Sequence, residues 1–334
     1  GQPDLGPLES AAHTLGQSLA PECLVLLEST TYPGTTRNVL APILREHGRS
    51  DASRVFVAFA PERVNPGHGD PAARGAPRLV GGLTPDATRL AQAFYQSLGY
   101  AVEVTARAEV AEAAKLVENV YRAVNISLVN ELKLVFAAQG IDIWEVLDAA
   151  QTKGFGFQRF DPGPGAGGSC IPIDPRYLEY FARQGGVPAQ LVELAGKIDA
   201  HMAEHVVHVL ERAALQTGRA LQGLRVLLLG VAYKPDVNIT SESPSLRVAA
   251  RLLRAGAQVS YCDPEVPGPL ELAPGVWQTS RVLDAATMGS TDAMVYLTDH
   301  RAFALDTIAA FPGILVDTRG KRRLRDRAAH YVSA

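Results

Sequence analysis

The fold of this chain is most constrained by the order of its apolar patterns. Two stretches alternate short apolar runs with segments of helical periodicity, and a long stretch without strand pattern separates them. Buried-strand runs at residues 23–28 and 54–60 alternate with amphipathic segments, and the same alternation returns after residue 218. Residues 106–215 carry helical periods only, including one long helix predicted over residues 108–139. Strands that alternate with helices build parallel sheets covered by helices. The pattern predicts an α/β protein with two Rossmann-like parallel-sheet domains joined by a long-helix central domain.

The first of these sheet domains is predicted to be incomplete. Only three strands are recognisable there, at residues 23–28, 54–60 and 101–104, with a helix over residues 8–19 before them. Three strands are too few for a doubly wound domain. The chain has no G-x-G-x-x-G, the fingerprint that opens a dinucleotide-binding domain. We therefore expect the chain to enter this domain halfway, with domain boundaries at 1–105, 106–216 and 217–334.

Composition excludes several classes of protein. The 334 residues are 47% apolar and 20% charged, with a net charge of −3, which favours neither nucleic acid nor an anionic membrane surface as partner. Cys23, Cys170 and Cys262 form neither a zinc spacing nor a paired framework, so we expect reduced thiols and no metal site. No apolar run reaches membrane-spanning length, and the start carries no signal pattern. These features favour a cytoplasmic protein.

Residues 161–175 form the stretch with the clearest chemical signal. The run is rich in glycine and proline, leads into Cys170 and is followed by Asp174. Such a backbone can approach a ligand closely, and main-chain N–H groups can cradle a phosphate or a sugar. A turn followed by a helix would place the Cys170 thiol near a helix N-terminus, where the thiolate is favoured. An inert cysteine in a glycine-rich surface loop is the alternative, and the residues alone leave both open.

The long predicted helix carries three polar residues on one face. Lys115, Asn119 and Arg122 are spaced by four and three residues, whereas their neighbours at other angles are Ala, Val and Leu. A lysine and an asparagine one turn apart can hold a developing oxyanion between them. A solvated polar stripe is the alternative for this pattern.

Polar residues also follow the predicted strands directly. Ser29 and Thr30 follow the first strand, Glu62 follows the second, and Lys234 follows the first strand of the last domain. The carboxyl ends of parallel strands line the ligand crevice of an open sheet. We therefore interpret these side chains as ligand contacts, with Glu62 as a candidate acid or base and Lys234 as a partner for a phosphate or sugar hydroxyl. Ordinary polar turns remain the alternative.

Together these motifs resemble the nucleotide-sugar 6-dehydrogenases, the family of UDP-glucose, UDP-N-acetylglucosamine and UDP-N-acetylmannosamine dehydrogenases. The resemblance covers essentially the whole chain, and its details are more similar to the UDP-N-acetylhexosamine branch, especially UDP-N-acetylglucosamine 6-dehydrogenase. The motifs that carry it are Glu28-Ser-Thr-Thr-Tyr-Pro-Gly-Thr-Thr36, Pro61-Glu-Arg-Val-Asn-Pro-Gly67, Ala111-Glu-Ala-Ala-Lys-Leu116, Asn130-Glu131, Gly163-Pro-Gly-Ala-Gly-Gly-Ser-Cys-Ile-Pro-Ile-Asp174, Gly230-Val-Ala-Tyr-Lys234 and Glu242-Ser-Pro244.

The resemblance implies a four-electron oxidation of the C6 alcohol of a UDP-sugar to a carboxylate, with two NAD. Cys170 would add to the C6 aldehyde and pass through a thiohemiacetal to a thioester. Lys115 and Asn119 would steady the C6 oxyanion, and Asp174 would orient water or shuttle protons. Thr30 and Glu62 would position or activate the attacking water.

The resemblance also implies binding residues and partners. The cofactor would contact Ser29, Thr30, Glu62 and Lys234. The UDP-sugar would contact Arg63, Gly163, Gly165, Gly167, Gly168 and Lys234. A homodimer and a place in polysaccharide biosynthesis follow from the same resemblance, with residues 1–105 as the C-terminal half of an NAD-binding domain, 106–216 as the dimerisation and catalytic domain, and 217–334 as the UDP-sugar-binding domain.

Two residues depart from the family pattern. Ser241 stands where the family often has an arginine near the cofactor, and Ser169 stands before the cysteine where the acetylhexosamine branch usually has a histidine. Three alternatives stay open: a non-catalytic fragment that binds a UDP-sugar or dimerises, a UDP-glucose 6-dehydrogenase, and a relative of the β-hydroxyacid dehydrogenases that would not need Cys170.

Overall fold

The computed structural model describes residues 2–20, 22–47, 55–63 and 76–334. The chain folds into two compact units, Gly1–Tyr121 with Ile173–Gln190, and Arg122–Pro172 with Leu191–Ala334. Helices and strands follow in chain order as α1 Gly6–Ser18, β1 Cys23–Leu27, a π-helical turn Thr36–Leu40, α2 Ala41–His47, β2 Val55–Phe59, β3 Arg78–Gly82, α3 Pro85–Ser97, β4 Val102–Val104, α4 Ala108–Ala137, α5 Ile143–Ala150, α6 Asp174–Gln184, α7 Gln190–Gln216, β5 Arg225–Leu229, α8 Pro244–Arg254, β6 Gln258–Cys262, β7 Leu270–Ala273, β8 Val276–Gln278, α9 Ala285–Gly289, β9 Ala293–Tyr296, α10 Leu305–Ala309, β10 Ile314–Asp317, α11 Arg322–Arg325 and β11 His330–Ser333.

None of the helices in the described part of the chain combines the length and the apolar character that a membrane crossing requires.

The first unit is built on a four-stranded sheet in the order β1-β2-β3-β4. The strands predicted at residues 23–28, 54–60 and 101–104 are confirmed as β1, β2 and β4, although residue 54 lies outside the described residues. Parallel pairing joins β1 to β2 and β3 to β4. Apolar side chains of β1 and β2, such as Val25 and Val57, face a core that α4 covers with Ala108 and Ala111.

The first sheet is predicted to be parallel, but β3, a strand that the sequence pattern does not predict, pairs antiparallel with β2. This strand begins with a charged residue and ends in Gly81 and Gly82, so it lacks the β-branched and aromatic pattern that marks a strand in sequence. Both positions require glycine, because neighbouring atoms leave no space for a side chain. A Cβ on Gly81 would lie 2.5 Å from Thr105 Oγ1, and one on Gly82 would collide with the Thr88 nitrogen.

The second unit carries the parallel sheet that the sequence predicts. Its five strands run in the order β11-β10-β9-β5-β6, and every pairing is parallel. Leu228 and Val295 pack into the core on one face, whereas Leu227 and Met294 pack into the core on the other. Both faces are therefore buried, which explains why the strands read as continuous apolar runs.

Strand order fixes where this sheet can bind a ligand. The chain leaves β5 towards β6 on one side and later adds β9 on the other side. The crevice at such a reversal lies at the carboxyl ends of the flanking strands. The segment that begins at Gly230 follows β5, Asp263 follows β6, and His300 follows β9 shortly afterwards.

The helices agree closely with their sequence patterns. The long helix predicted over residues 108–139 is confirmed as α4, a 30-residue helix that begins in the first unit and ends in the second. Ser243 is the N-cap of α8 and accepts a hydrogen bond from the Ser245 nitrogen, and Gly256 follows α8 with a φ of +84°. Strands β7, β8 and β11 and the short helices α9–α11 were not predicted, because each is too short for a periodic pattern.

Candidate functional site

A buried polar cluster lies in the first unit at Lys115, Asn119 and Asp174. The side chains of Lys115 and Asn119 on α4 are 8% and 7% exposed, and Asp174 at the start of α6 is 2% exposed. The Asn119 side-chain nitrogen donates a hydrogen bond to Asp174 Oδ2. Burial raises the pKa of Asp174 to about 6, although the Asn119 hydrogen bond and the Lys115 charge lower it in part. An acid with this pKa can exchange a proton near neutral pH.

Arg122, the third member of the predicted polar face, differs from the other two. It is exposed and belongs to the second unit. The interpretation of the face as a solvated stripe therefore fails for Lys115 and Asn119, which are buried, and applies to Arg122 alone.

Glu112 on α4 holds the turn that follows β1, a role that the sequence analysis missed. Its fully buried carboxylate accepts hydrogen bonds from the Gly34 nitrogen at 2.5 Å, the Thr36 nitrogen at 2.9 Å and Thr36 Oγ1 at 2.6 Å. Gly34 has a φ of +95°, which only glycine adopts readily. Burial raises the pKa of Glu112 even though these three donors lower it. The motif Ala111-Glu-Ala-Ala-Lys-Leu116 was the available signal, since it contains both Glu112 and Lys115.

The turn after β1 presents three hydroxyl groups in a row. Ser29 is exposed, Thr30 is half-buried and Thr31 is buried. Thr31 Oγ1 has no hydrogen-bond partner among the described residues, although an atom so buried normally has one. The turn can therefore offer a buried hydroxyl to a bound polar group.

Glu62 and Arg63, which follow β2, are both engaged by other side chains. Glu62 Oε2 lies 2.8 Å from the guanidinium of Arg78, which also lies 2.5 Å from Glu28 Oε1. Arg63 pairs with Glu118 at 2.6 Å. Arg78 thus ties the polar ends of β1 and β2 together, which the sequence did not reveal. Residues 64–67 of the motif that begins at Pro61 lie outside the described residues.

The glycine-rich loop of the second unit packs against protein rather than standing open. The Gly163 nitrogen donates to Asn130 Oδ1 at 2.9 Å, and a Cβ on Gly163 would lie 2.8 Å from an Arg319 nitrogen. Gly165 has a φ of +122°, and its Cβ would lie 2.7 Å from an Arg247 nitrogen. The sequence predicts that these glycines allow a close approach of a ligand, whereas contacts within this unit already require them.

The next two glycines meet the segment that follows β5. A Cβ on Gly167 would lie 2.9 Å from Tyr233 Cβ, and one on Gly168 would lie 2.7 Å from the Tyr233 ring. The Gly168 nitrogen donates to the Ser241 carbonyl at 3.2 Å. The loop that leads to Cys170 is thus in direct contact with the segment that carries Lys234.

Cys170 is exposed, whereas Cys23 is half-buried and Cys262 is buried. The Cys170 sulfur lies 3.7 Å from Ser169 Oγ. Helix α6 begins at Asp174, four residues further along the chain, as the turn-then-helix prediction requires. Accessibility distinguishes this thiol from the other two as a candidate nucleophile.

Lys234 lies in the segment that follows the carboxyl end of β5. Its Nζ lies 5.6 Å from the centre of the Tyr233 ring, and burial together with the Arg122 charge lowers the pKa of its ammonium. Asp263 lies opposite and accepts hydrogen bonds from the Val231 and Ala232 nitrogens at 2.6 and 3.0 Å. The segment that carries Lys234 is therefore fixed by the neighbouring strand.

A possible metal-ligand group in this region is already satisfied by protein contacts. Asp236, Glu265 and His300 offer ligand atoms within 4.8 Å of one another. However, His300 Nδ1 accepts the Asp236 N–H at 3.0 Å and its Nε2 lies 3.1 Å from Asp263 Oδ2. Since both ring nitrogens are engaged, this group is assigned a structural role.

Comparison with known proteins covers both units. Three models of the UDP-glucose/GDP-mannose dehydrogenase family match the chain, namely the NAD binding domain over residues 1–99, the central domain over residues 109–201 and the UDP binding domain over residues 227–321. UDP-N-acetyl-D-mannosamine dehydrogenase of Salmonella typhi is 30% identical over 331 residues, which cover 95% of this chain and 77% of that protein. The chain belongs to the UDP-glucose/GDP-mannose dehydrogenase family.

Other members of the family are similarly close. UDP-N-acetyl-D-glucosamine 6-dehydrogenase of Pseudomonas aeruginosa is 34% identical over 267 residues, which cover 79% of this chain and 63% of that protein. The chain thus matches less than two thirds of that relative's length. The solved structure of UDP-D-ManNAc dehydrogenase from Pyrococcus horikoshii shares 28% identity and superposes with a TM-score of 0.85, covering 99% of this chain and 77% of that one. The family resemblance and the α/β fold class predicted from sequence are confirmed.

Proposed function

We propose that this chain oxidises the C6 alcohol of a UDP-N-acetylhexosamine to the uronic acid, with NAD as the electron acceptor and Cys170 as the covalent nucleophile. The observation that carries this proposal is the buried cluster of Lys115, Asn119 and Asp174 in a member of this family. Asn119 and Lys115 are hydrogen-bond donors that can stabilise an alkoxide. Asp174, whose pKa is raised to about 6, can take up the proton that the alcohol loses.

The proposed reaction has four steps, and each of them balances. Oxidation of the alcohol releases a hydride and a proton and leaves an aldehyde. The Cys170 sulfur bonds to C6 while the thiol proton moves to the oxygen, which gives a thiohemiacetal. Loss of a second hydride with the hydroxyl proton gives a thioester, and water then cleaves the C–S bond, releasing the carboxylate and restoring the thiol. NAD, when bound, accepts the hydride in each of the two oxidations.

The chain's own residues have distinct roles in this proposal. Lys115 and Asn119 donate hydrogen bonds to the oxygen on C6 as negative charge develops there. Asp174 takes up and returns the proton. Thr30 and Glu62 position the water, although the Glu62 carboxylate is also paired with Arg78, which favours orientation over free proton transfer.

The turn after β1 fits a polar cofactor. Thr31 Oγ1 is buried and without a partner among the described residues, as a hydroxyl reserved for a bound group would be. Ser29, Thr30 and Thr31 would hold that group, with Glu62 and Lys234 as the further cofactor contacts that the family resemblance implies.

The UDP-sugar is proposed to contact the second unit through Lys234 and the loop of residues 163–168, with Arg63 as a further contact. The match to the UDP binding domain over residues 227–321 supports this assignment. The glycines of the loop are packed against Tyr233, Arg247 and Arg319, and the Gly163 and Gly168 nitrogens already donate hydrogen bonds within the unit. The N–H groups of Gly165 and Gly167 are therefore the ones proposed to contact the ligand.

A homodimer is proposed on the basis of an exposed apolar stripe along α4. Val110, Val117, Tyr121, Leu128 and Val135 are spaced by seven, four, seven and seven residues, which places them on one face, and they are 42% to 61% exposed. A stripe of this length on a 30-residue helix is suited to pack against a second copy of the chain. The division at 1–105, 106–216 and 217–334, a cytoplasmic location and a role in polysaccharide biosynthesis remain parts of the proposal.

The test is the stoichiometry of the reaction with UDP-N-acetylglucosamine, UDP-N-acetylmannosamine and UDP-glucose at millimolar NAD. The proposal expects two NADH for each uronic acid, with an acetylhexosamine as the better substrate. One NADH with an accumulating aldehyde would exclude the covalent route, and a preference for UDP-glucose would exclude the substrate branch. Binding of a UDP-sugar without turnover would favour the non-catalytic alternative.

A further inference from the structure

The contact between the cysteine loop and Tyr233 indicates how the thiol is positioned. Cys170 lies two residues beyond Gly168, and a Cβ on Gly168 would lie 2.7 Å from Cε2 of the Tyr233 ring. Gly167 lies against the same segment, since its Cβ would lie 2.7 Å from Pro244 Cδ and 2.9 Å from Tyr233 Cβ, so the contact with the ring itself is made at Gly168. Such distances leave no room for any side chain at either position, so the ring and the loop are in van der Waals contact. A hydrogen bond from the Gly168 nitrogen to the Ser241 carbonyl, at 3.2 Å, fixes the loop further.

The pKa of the Tyr233 phenol is consistent with this proximity. Burial raises the pKa of Tyr233, and the electrostatic contribution of Cys170 raises it further. The contact itself is carried by Gly168, which lies two residues before Cys170 and against the Tyr233 ring.

The segment that carries Tyr233 is itself fixed by its own backbone and by residues that follow β6 and β9. The Tyr233 nitrogen donates to the Ile239 carbonyl at 3.0 Å. On its N-terminal side, Asp263 Oδ2 accepts from the Val231 and Ala232 nitrogens, and Thr298 Oγ1 donates to the Ala232 carbonyl at 2.7 Å.

On its C-terminal side, the segment is fixed by His300. The ring accepts the Asp236 N–H through Nδ1 and contacts Asp263 Oδ2 through Nε2. Asp263 and His300 are each 1% exposed, and Thr298 is fully buried. Residues 231–236 are thus clamped at both ends by buried side chains, which makes Tyr233 a rigid support.

We propose that Tyr233 is a positioning residue for Cys170: its ring supports the loop of residues 163–170, so that one short segment sets both the thiol and the adjacent Lys234. The inference rests on the proposed function only for the role of the thiol. The contact itself can be measured by chemistry that requires no dehydrogenase activity, so the two proposals can fail separately.

The experiment compares the full chain with its Tyr233→Phe and Tyr233→Ala variants. Amide hydrogen exchange of the peptide that covers residues 163–170 reports whether the loop is supported. Alkylation of Cys170 by iodoacetamide, followed by mass spectrometry of the labelled peptide, reports the reaction rate of the thiol. Cys23 in the first unit serves as internal reference. We expect Tyr233→Phe, which keeps the ring, to match the wild type. We expect Tyr233→Ala to accelerate amide exchange of the loop about tenfold or more, as for a locally opened segment. We expect it to change the alkylation rate of the already exposed Cys170 by more than twofold.

Two glycine substitutions distinguish loss of the Tyr233 contact from backbone strain alone. Gly168→Ala places a methyl group against the ring at a φ of +85°, whereas Gly218 has a φ of +75° and nothing within 4 Å. Both changes strain the backbone, but only Gly168→Ala should reproduce the loosening of residues 163–170. If Tyr233→Ala fails to fold, Gly168→Ala and Tyr233→Phe still test whether packing of the ring against the loop supports residues 163–170.

Three results would overturn the proposal. Exchange and alkylation within twofold of the wild type in Tyr233→Ala would show that the ring supports nothing. An equal effect of Gly218→Ala, or faster exchange of β5 to the same extent as the loop, would show global destabilisation instead. A loosened loop in Tyr233→Phe, which keeps the ring, would assign the role to the phenol hydroxyl and contradict support by packing.

Discussion

Asp174 shows how burial changes the behaviour of one carboxyl group. Its side chain is 2% exposed, and its partners Asn119 and Lys115 only partly offset the loss of water. The helical spacing of Lys115 and Asn119 was predictable, because residues four apart share a helix face. Their pairing with Asp174 across 55 residues of sequence depends on tertiary packing, which no local pattern reports.

Asp174→Asn tests this environment through stability. The folded-state pKa of about 6 lies above the ordinary value of 3.8, so the folded chain holds the proton more tightly and the free energy of unfolding falls as pH rises through that window. A shift of about 2 units corresponds to at most about 3 kcal/mol. We expect the variant to be more stable than the wild type at pH 7.5 by up to that amount and equal to it near pH 3.5.

Urea unfolding at the two pH values measures this difference, and Asp326→Asn at an exposed position is the matched control. The same stability gap at both pH values would contradict the raised pKa. For catalysis, Asp174→Asn should lose most of the turnover while retaining UDP-sugar binding.

Cys170→Ser tests the covalent role at the same scale. Serine and cysteine are similar in size, so the contacts of Gly167 and Gly168 with Tyr233 should survive. A serine hydroxyl is a far poorer nucleophile at neutral pH, because no thiolate is accessible. We expect uronic acid formation to be abolished and UDP-sugar affinity, measured by calorimetry, to change less than about threefold. Near-normal acid production would reduce Cys170 to a packing residue.

At the scale of elements, helix α4 and the turn after β1 depend on each other through Glu112. Glu112→Ala would leave the Gly34 and Thr36 nitrogens buried without an acceptor, at a cost of about 2–4 kcal/mol. Glu109→Ala, one turn earlier on the same helix, removes a more exposed pair with Arg37 and should cost under about 1 kcal/mol. Chemical denaturation compares the two variants. An equal loss of unfolding free energy in the two variants would show that Glu112 does not stabilise the turn after β1.

The strands illustrate which elements a sequence can predict. Runs such as Arg225–Leu229 are buried on both faces and are recognisable from composition alone. Arg78–Gly82 is not, because its pairing with β2 and β4 depends on residues distant in sequence. Arg78 also joins Glu28 to Glu62, so missing the strand meant missing the ion pair that restrains a predicted site residue. The sequence predicts that the glycines of residues 163–168 allow a close approach, but it does not predict their contacts with Tyr233, Arg247 and Arg319.

At the scale of the whole molecule, the stripe on α4 predicts association. We expect a dimer in sedimentation at micromolar concentration, since the exposed apolar face runs the length of the helix. Val117→Glu introduces a charge at the most exposed position of the stripe, 61%, and should shift the chain towards monomer. Arg89→Glu, at an exposed position on α3, is the control for a charge change. A stable wild-type monomer would contradict the proposed dimer.

Protection of Cys170 by an aldehyde is the most direct test of the central claim, because thiohemiacetal formation requires no oxidant. The chain is incubated with a UDP-N-acetylhexosamine 6-aldehyde and then with iodoacetamide, and labelling of Cys170 is read by mass spectrometry with Cys23 as reference. The corresponding alcohol, at a concentration that calorimetry shows to be saturating, is the matched control for steric shielding. We predict that the aldehyde protects Cys170 well beyond the alcohol and that protection reverses on dilution. Equal labelling with a bound aldehyde and a bound alcohol would contradict a covalent role for Cys170.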